Sequence, residues 1–518
     1  MVERVQFRGN ELLGMVTVSL SAEDTQDDDL TRSAVRAFES LQGKAKAVGG
    51  MPLRVEALQA TSPLLRYTSL LPPAPHPMAT SPRCNGDTVI SLPRKSSKLT
   101  SQVEPLEVLL RLESSGKWPD ELDAVRSTAT AFLIRLAQCL EKQFKLRCRV
   151  GRQCLDVTMS GYCFRLRVGG DKELACLQHQ KKPAFGLTVR AVTRWLEEHM
   201  VSEHLRIEAV ELLVASLFSD EAPLAPPATG LAGFLRFLLL LAGHDWATAP
   251  LLVDPQSVLT AADREAAVEA FTFSRDRDPS GGDAMFLVAS YARDSGWASC
   301  WTSPRPERPV LGRLVALAKA SAAFMVDWLS GKGELGVDPN GWQNAFRMSI
   351  EEEQTFDVRL SLSPAVISNL GVESFLGSET FERRRVKGCA ALRVKAYKNL
   401  LTSGNAQPSE RNTVPDNLVI GFDPIGELVQ ELRRIFGHLA VFFSPGSAGS
   451  SGLIGIVWRP SAFESRPYIV NRSRHMMLVG GGGGGGGGGV MCAPSKVEIL
   501  AEMRAVAGDM VTDVQLRE

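Results

Sequence analysis

The side chains best placed to do chemistry are carboxylates on strand-like segments: Glu104 and Glu107 in VEPLEVLLRLES, and Asp156 in LDVTMSG. Carboxylates gathered on one strand face can hold two magnesium ions, which stabilise the attacking and leaving oxygens of a phosphoryl transfer. That chemistry also needs a Gly-Ser turn after the preceding strand to hold the triphosphate, and here Thr61-Ser62-Pro63 fills its place. Glu104 and Glu107 are separated by two residues instead of one, so a strand sends them to opposite faces and they share no metal. In FRLRV, Arg165 and Arg167 stand where a third carboxylate would help, which leaves Asp156 as the nearby acid. The expectation is a phosphoryl-transfer scaffold without catalytic residues, metal ligands or cofactor.

Other catalytic patterns are missing. There is no G-x-x-x-x-G-K-[ST], H-E-x-x-H or G-x-S-x-G, and G-x-G-x-x-G occurs only inside a run of glycines. His199 and His204, five apart at a helix end, read as surface residues and not as ligands. His244 closes an apolar helix, where a histidine complements the helix dipole. Nine cysteines include no C-x-x-C pair, so zinc ribbons and disulfide frameworks fail on spacing. No secretory leader stands at MVERVQFRGN, which predicts reduced thiols. With 58 basic and 58 acidic residues there is no global field, and any polyanion must bind a local patch.

A chain of 518 residues is long enough for about three domains. Residues 1–30 end in an acidic run and are expected to lack order. From 31 to 170 the order is helix, strand (MPLRVEALQA), turn (TSPLLRYT), a Pro/Ser-rich surface loop, strand (VEPLEVLLRLES) and helix. Two strands, LRCRVGRQCLDVTM and YCFRLRV, then meet at Ser160-Gly161. Within DAVRSTATAFLIRLAQCLEKQF, Val125, Phe132, Leu136 and Leu140 form one stripe. This strand order is that of a nucleotidyltransferase head. Residues 171–345 are mostly helical, with one short strand candidate, AMFLVAS. The apolar run around Arg236 is too short to span a bilayer, so it reads as a buried helix and no membrane partner is expected. Trp195, Phe234, Phe237 and Trp246 are expected inside this domain. Residues 346–518 return to mixed α/β, with a polyglycine loop at 480–489. The fold class is α+β and multidomain.

Six stretches in order, MPLRVEALQATSPLLRYTSLLPP, VEPLEVLLRLESSGKWPDELDAV, DVTMSGYCFRLRV, GFLRFLLLLAGHDWATAPLLVD, NLVIGFDPIGELVQELRRIFGHLAVFF and IGIVWRPSAF, carry a resemblance to the C-terminal half of the nucleolar RNA-associated protein (Nrap) family. The resemblance implies a degenerate nucleotidyltransferase head, a helical domain like that of poly(A) polymerase and oligoadenylate synthase, and a small C-terminal α/β domain. It also implies a nucleolar, non-catalytic scaffold of the small-subunit processome in pre-rRNA processing. Implied partners are pre-ribosomal RNA, the small nucleolar ribonucleoprotein particle, a ribosomal RNA processing protein seven type subunit and casein kinase II. The first module of the family and residues 1–30 lie outside the resemblance, and polyglycine replaces a short loop. The competing reading, an active template-independent RNA nucleotidyltransferase, requires carboxylates that the strands do not supply.

The strongest local RNA candidate is FERRRVKGCAALRVKAYKN. It places Arg383, Arg384, Arg385, Lys387, Arg393, Lys395 and Lys398 within sixteen positions. The same run also fits a solvated helix face. Phe442 and Phe443 are strand neighbours, so at most one can stack a base, and no RNP1 pattern accompanies them. Arg66-Tyr67 reads as a turn closing over the core.

Overall fold

The computed structural model describes residues 4–8, 15–19, 28–70, 72, 73, 75, 79, 102–113, 121–151, 153–169, 183–219, 224–254, 257–277, 284–289, 301–331, 341–363, 419–420, 423–446, 452–467, 476–478 and 491–517. The segment from Arg383 to Lys398, the polyglycine run and most of the Pro/Ser-rich loop lie outside the described residues.

The first 30 residues, expected to lack order, carry two strands, β1 (Arg4–Arg8) and β2 (Met15–Ser19), paired antiparallel. The alternating residue types of RVQFR and MVTVS suit such a pair. Helix α1 (Asp28–Lys46) follows, then β3 (Val55–Ala60), a short 3-10 turn at Leu64–Arg66, β4 (Gln102–Val103), β5 (Pro105–Leu112) and α2 (Leu122–Phe144). The region closes with β6 (Arg147–Val150), β7 (Leu155–Met159) and β8 (Tyr162–Val168).

The sequence predicts one strand over 146–159. The chain instead reverses at Gly151–Cys154, where the Gly151 amide donates to the Cys154 carbonyl and Gln153 takes a φ of 56°. The reversal at Ser160-Gly161 stands as expected: both residues have positive φ, 54° and 88°, and Met159 pairs with Tyr162. The five strands run in the order β3-β5-β8-β7-β6, with β5 and β8 parallel. Period-2 alternation buries Leu106, Val108 and Leu110 of β5 and Phe164 and Leu166 of β8 on one face, against α1 and α2. On α2 the buried stripe is Leu133, Leu136, Ala137 and Leu140, with Phe132 only half-buried.

Helices α3 (Pro183–Glu198), α4 (Ile207–Leu217), α5 (Gly230–Gly243), α6 (Ala261–Arg277) and α7 (Arg308–Leu329) form the middle of the chain. Between them, β9 (Leu251–Val253) pairs in parallel with β10 (Leu287–Ala289). The single predicted strand therefore has a partner that three residues were too short to reveal. Trp195, Phe234, Phe237 and Trp246 are all buried, as expected. The indole of Trp195 donates to Ser321 Oγ at 3.0 Å, and Phe234 stacks on Phe346 at 4.6 Å. Helix α7 is long and apolar enough to cross a membrane by length and composition. Its Val310, Leu314, Ala318, Ala322 and Met325 pack into the protein's largest hydrophobic cluster.

The last part contains α8 (Ile350–Glu353), β11 (Val358–Leu362), β12 (Val419–Ile420), α9 (Pro424–Phe436), β13 (Ala440–Phe443) and β14 (Leu453–Trp458). β15 (Arg466–Pro467), β16 (Met476–Leu478), β17 (Met491–Pro494), α10 (Lys496–Ala507) and β18 (Val511–Leu516) complete it. The main sheet has the order β13-β14-β11-β18, all antiparallel, with α9 and α10 in the connections. This is the β-α-β-β-α-β arrangement of ferredoxin-like domains. β12 leaves that sheet and pairs in parallel with β4, over three hundred positions earlier.

One face of the main sheet buries Val358, Leu360, Phe442 and Ile456 against α9 and α10. The other face, through Val441, Phe443, Leu453 and Val457, joins the helical cluster. RNA-recognition sheets of this topology stack bases on an open face. Here neither Phe442 nor Phe443 is available, at 1% and 3% exposure.

The same interface corrects the histidine reading. His199 and His204 are buried, not on the surface. His199 Nδ1 lies 3.0 Å from both carboxylate oxygens of Glu352, and its Nε2 lies 3.3 Å from the Ala345 carbonyl. His204 Nε2 donates to the Phe442 carbonyl at 2.9 Å, and its ring meets Phe443. Arg433 bridges to Glu203 at 2.6 Å, and the Arg313 guanidinium covers Phe356 and Phe443.

Burial, aided by the Arg433 and Arg305 charges and opposed by the Phe442 carbonyl, pushes His204 from 6.5 down to about 3. The folded protein thus holds His204 neutral where the unfolded chain protonates it. Stability is full above pH 6.5 and is lost as pH falls toward 3, at about 1.4 kcal/mol per pH unit for this one proton. His204→Gln, which keeps a donor for Phe442, is expected to remove that slope between pH 6.5 and 5. Denaturant titrations of both proteins across this window check it; equal slopes would refute it.

Candidate functional site

Strand register brings the predicted acids and arginines onto the polar face of the head sheet. Arg149 of β6 stands opposite Asp156 of β7, Asp156 opposite Arg165 of β8, and Arg165 opposite Glu107 of β5. Side chains in register share a face, so charges alternate in a row across four strands. Arg165 grips Asp156 in a fork, Nε to Oδ1 at 2.7 Å and Nη2 to Oδ2 at 3.0 Å. Arg167 repeats the fork more loosely on Glu107, at 3.1 and 3.5 Å. The hydrogen bonds it donates to Asp156 hold the Arg165 guanidinium above its ordinary value.

Glu104 does not join this row. It lies between β4 and β5, ahead of the strand. Glu107 and Asp156 are kept apart by β8, and each is neutralised by an arginine of that strand. A metal ion would have to displace a guanidinium from either. The cysteines beside the row offer no thiolate: burial, then the Asp156 charge, pushes Cys163 up to about 12, and burial also raises Cys154.

The turn is spent as thoroughly as the carboxylates. The amides of Thr61 and Ser62, which would face a phosphate, donate to the Glu107 carbonyl at 3.2 and 2.9 Å. Pro63 has no amide hydrogen, and its carbonyl accepts from the Arg66 and Thr68 amides. Tyr67 takes a left-handed φ of 61° and presses its carbonyl on α3, where a Cβ at Gly186 would come within 2.8 Å of it. Arg66 then reaches into the helical domain. Its Nη2 lies 2.8 Å and its Nε 3.3 Å from Glu211 Oε1 on α4, and Thr68 Oγ1 donates to the same oxygen at 2.8 Å. Arg66 and Glu211 are 3% and 2% exposed. Burial pushes the Glu211 carboxyl up, against the pull of Arg66 and Thr68. The sequence reading had placed Arg66 as a turn-closing residue but missed Glu211. Its signal was an acid set inside the apolar run AVELLVA, one turn after Glu208 at the start of the helix.

A five-stranded head whose polar-face acids pair with arginines, joined through its turn to a helical domain, defines a nucleotidyltransferase-like protein of the poly(A)-polymerase architecture. Family models match residues 11–201 as Nrap protein nucleotidyltransferase domain 4, 182–344 as Nrap protein PAP/OAS1-like domain 5, and 354–514 as Nrap protein domain 6. The chain belongs to the Nrap family.

It is similar to Nucleolar protein 6 of Xenopus laevis, 28% identical over 505 residues, covering 90% of this chain and 40% of that protein. Nucleolar protein 6 of Homo sapiens is 27% identical over 554 residues, covering 99% and 44%. U3 small nucleolar RNA-associated protein 22 of Schizosaccharomyces pombe is 24% identical over 469 residues, covering 81% and 37%. The chain therefore spans less than half the length of these relatives. Among solved structures, E. coli MS115-1 CdnC with ATP aligns at a TM-score of 0.34 and 13% identity, over 63% of this chain and 92% of that one. Apo mtPAP aligns at 0.30 and 10%, over 47% and 61%.

Proposed function

We propose that the chain is a non-catalytic nucleolar scaffold of the small-subunit processome, acting in pre-rRNA processing through RNA and protein contacts. The observation that carries this reading is the arginine row, which occupies Glu107 and Asp156 on the head's polar face in a chain whose relatives bear nucleolar and U3 small nucleolar RNA-associated names. The units proposed are a head over 31–170, a helical domain over 171–345 and an α/β domain over 346–518. RNA contact by Arg383 to Lys398, and protein contact with a ribosomal RNA processing protein seven type subunit and casein kinase II, belong to the same proposal. Two measurements test it. With labelled nucleotide, magnesium and an RNA primer, the chain is expected to add nothing, and primer extension would restore the enzymatic reading. In cells, the tagged chain is expected in the nucleolus and to co-precipitate U3 RNA; a diffuse distribution without U3 recovery would refute the scaffold.

A further inference from the structure

Among the described residues, the row across the polar face of the head sheet holds more arginines than carboxylates. Arg149, Arg165 and Arg167 share it with Asp156 and Glu107, three positive charges against two negative. The charge is also graded by depth. Asp156 is 7% exposed and Arg165 19%, whereas Arg167 is 58% exposed and Arg149 stands exposed on the edge strand.

Both forked arginines are held in the same way. Each spends Nε and Nη2 on its carboxylate, and among the described residues Nη1 meets no hydrogen-bond partner. A carboxylate that fixes one edge of a guanidinium leaves the other edge oriented and charged, which favours capture of a phosphate oxygen. Arg165 and Arg167 are alternate residues of one strand, about 6.6 Å apart, the scale of one step along an extended nucleic-acid strand. From β6 to β5 the row crosses three strand spacings, about 14 Å, too long for one phosphate group. A nucleoside triphosphate would in addition need the turn amides, and those are bonded to Glu107 and Pro63 carbonyls.

We infer that this face is a metal-independent surface for single-stranded RNA, on which Arg149, Arg165 and Arg167 contact successive phosphates. The inference rests on the RNA-contact reading above but assigns the contact to a different part of the chain. Glu107 and Asp156 act there as positioning residues, and sequence preference is not expected because no base-reading group lies in the row.

The test is fluorescence anisotropy of a labelled oligouridylate with the full chain over a salt series, without divalent metal. Each neutralised phosphate contributes about 0.7 to the slope of log affinity against log salt, so R149Q/R167Q should flatten it by about 1.4. Both substituted side chains are exposed, and matched melting curves confirm that the fold is unchanged. Binding that appears only when magnesium is added would show a remnant metal site and overturn the inference. An unchanged slope in R149Q/R167Q, with a flattened one in R383Q/R384Q/R385Q, overturns this inference and leaves RNA contact by the chain standing. No binding by the unsubstituted chain overturns both. Displacement of the oligonucleotide by equimolar ATP would show a mononucleotide pocket and also overturn it.

Discussion

Arg66→Ala is expected to destabilise the protein by about 3 to 5 kcal/mol, because it strands a fully buried carboxylate. Glu211 Oε1 accepts from Arg66 Nη2 and Nε and from Thr68, so removal of the guanidinium leaves one hydroxyl donor for a charge that water cannot reach. Glu211 Oε2 meets no hydrogen-bond partner among the described residues, which makes the carboxylate dependent on that cation. Burial disfavours the ionised form, and loss of Arg66 removes the main opposing charge. Replacing both partners with apolar residues of similar volume, as in R66M/E211L, should recover most of the loss, since the desolvation cost disappears with the charges. Denaturant midpoints of the three proteins decide it. A loss for Arg66→Ala no larger than for the exposed Arg149→Ala would show that the turn does not lock the head to the helical domain.

That turn illustrates where sequence reasoning succeeds and where it stops. Turn chemistry is a local property, and it is enough to predict the reversal at Ser160-Gly161. The absence of a Gly-Ser turn was likewise visible in Thr61-Ser62-Pro63. What replaced the missing chemistry was not visible. Arg66 meets Glu211 145 positions away, Arg167 meets Glu107 60 positions away, and His204 meets Phe442 238 positions away. Contacts of that separation leave no periodic trace. The partner of a buried charge must be found in another element, and a histidine beside polar residues reads as exposed until a second domain covers it. Phe443 is ambiguous for the same reason: alternation puts it and Phe442 on opposite faces but cannot reveal that the helical domain packs on one of them. The cationic segment is the reverse case. Its composition is legible, while Arg383 to Lys398 lie outside the described residues.

Phe237→Ala is the second large effect expected, again about 3 to 5 kcal/mol. Phe237 has no exposed surface and meets the Trp195 ring edge to face at 6.4 Å. The indole it supports donates to Ser321 on α7, and Ser321 in turn donates to the Ala345 carbonyl at 3.2 Å. The same apolar cluster takes in Leu70 from the head and Phe356, Val441 and Phe443 from the C-terminal domain. Truncation therefore opens a cavity where all three domains meet, and the transfer and cavity terms add because so many neighbours resist collapse. Leu239, two residues on along the same helix, is 50% exposed and supplies the control: Leu239→Ala should change stability by no more than about 0.5 kcal/mol. If the two substitutions shift the denaturation midpoint equally, α5 does not present Phe237 to the junction. If Phe237→Ala also makes the C-terminal domain unfold separately from the head, the cluster is the element that couples them.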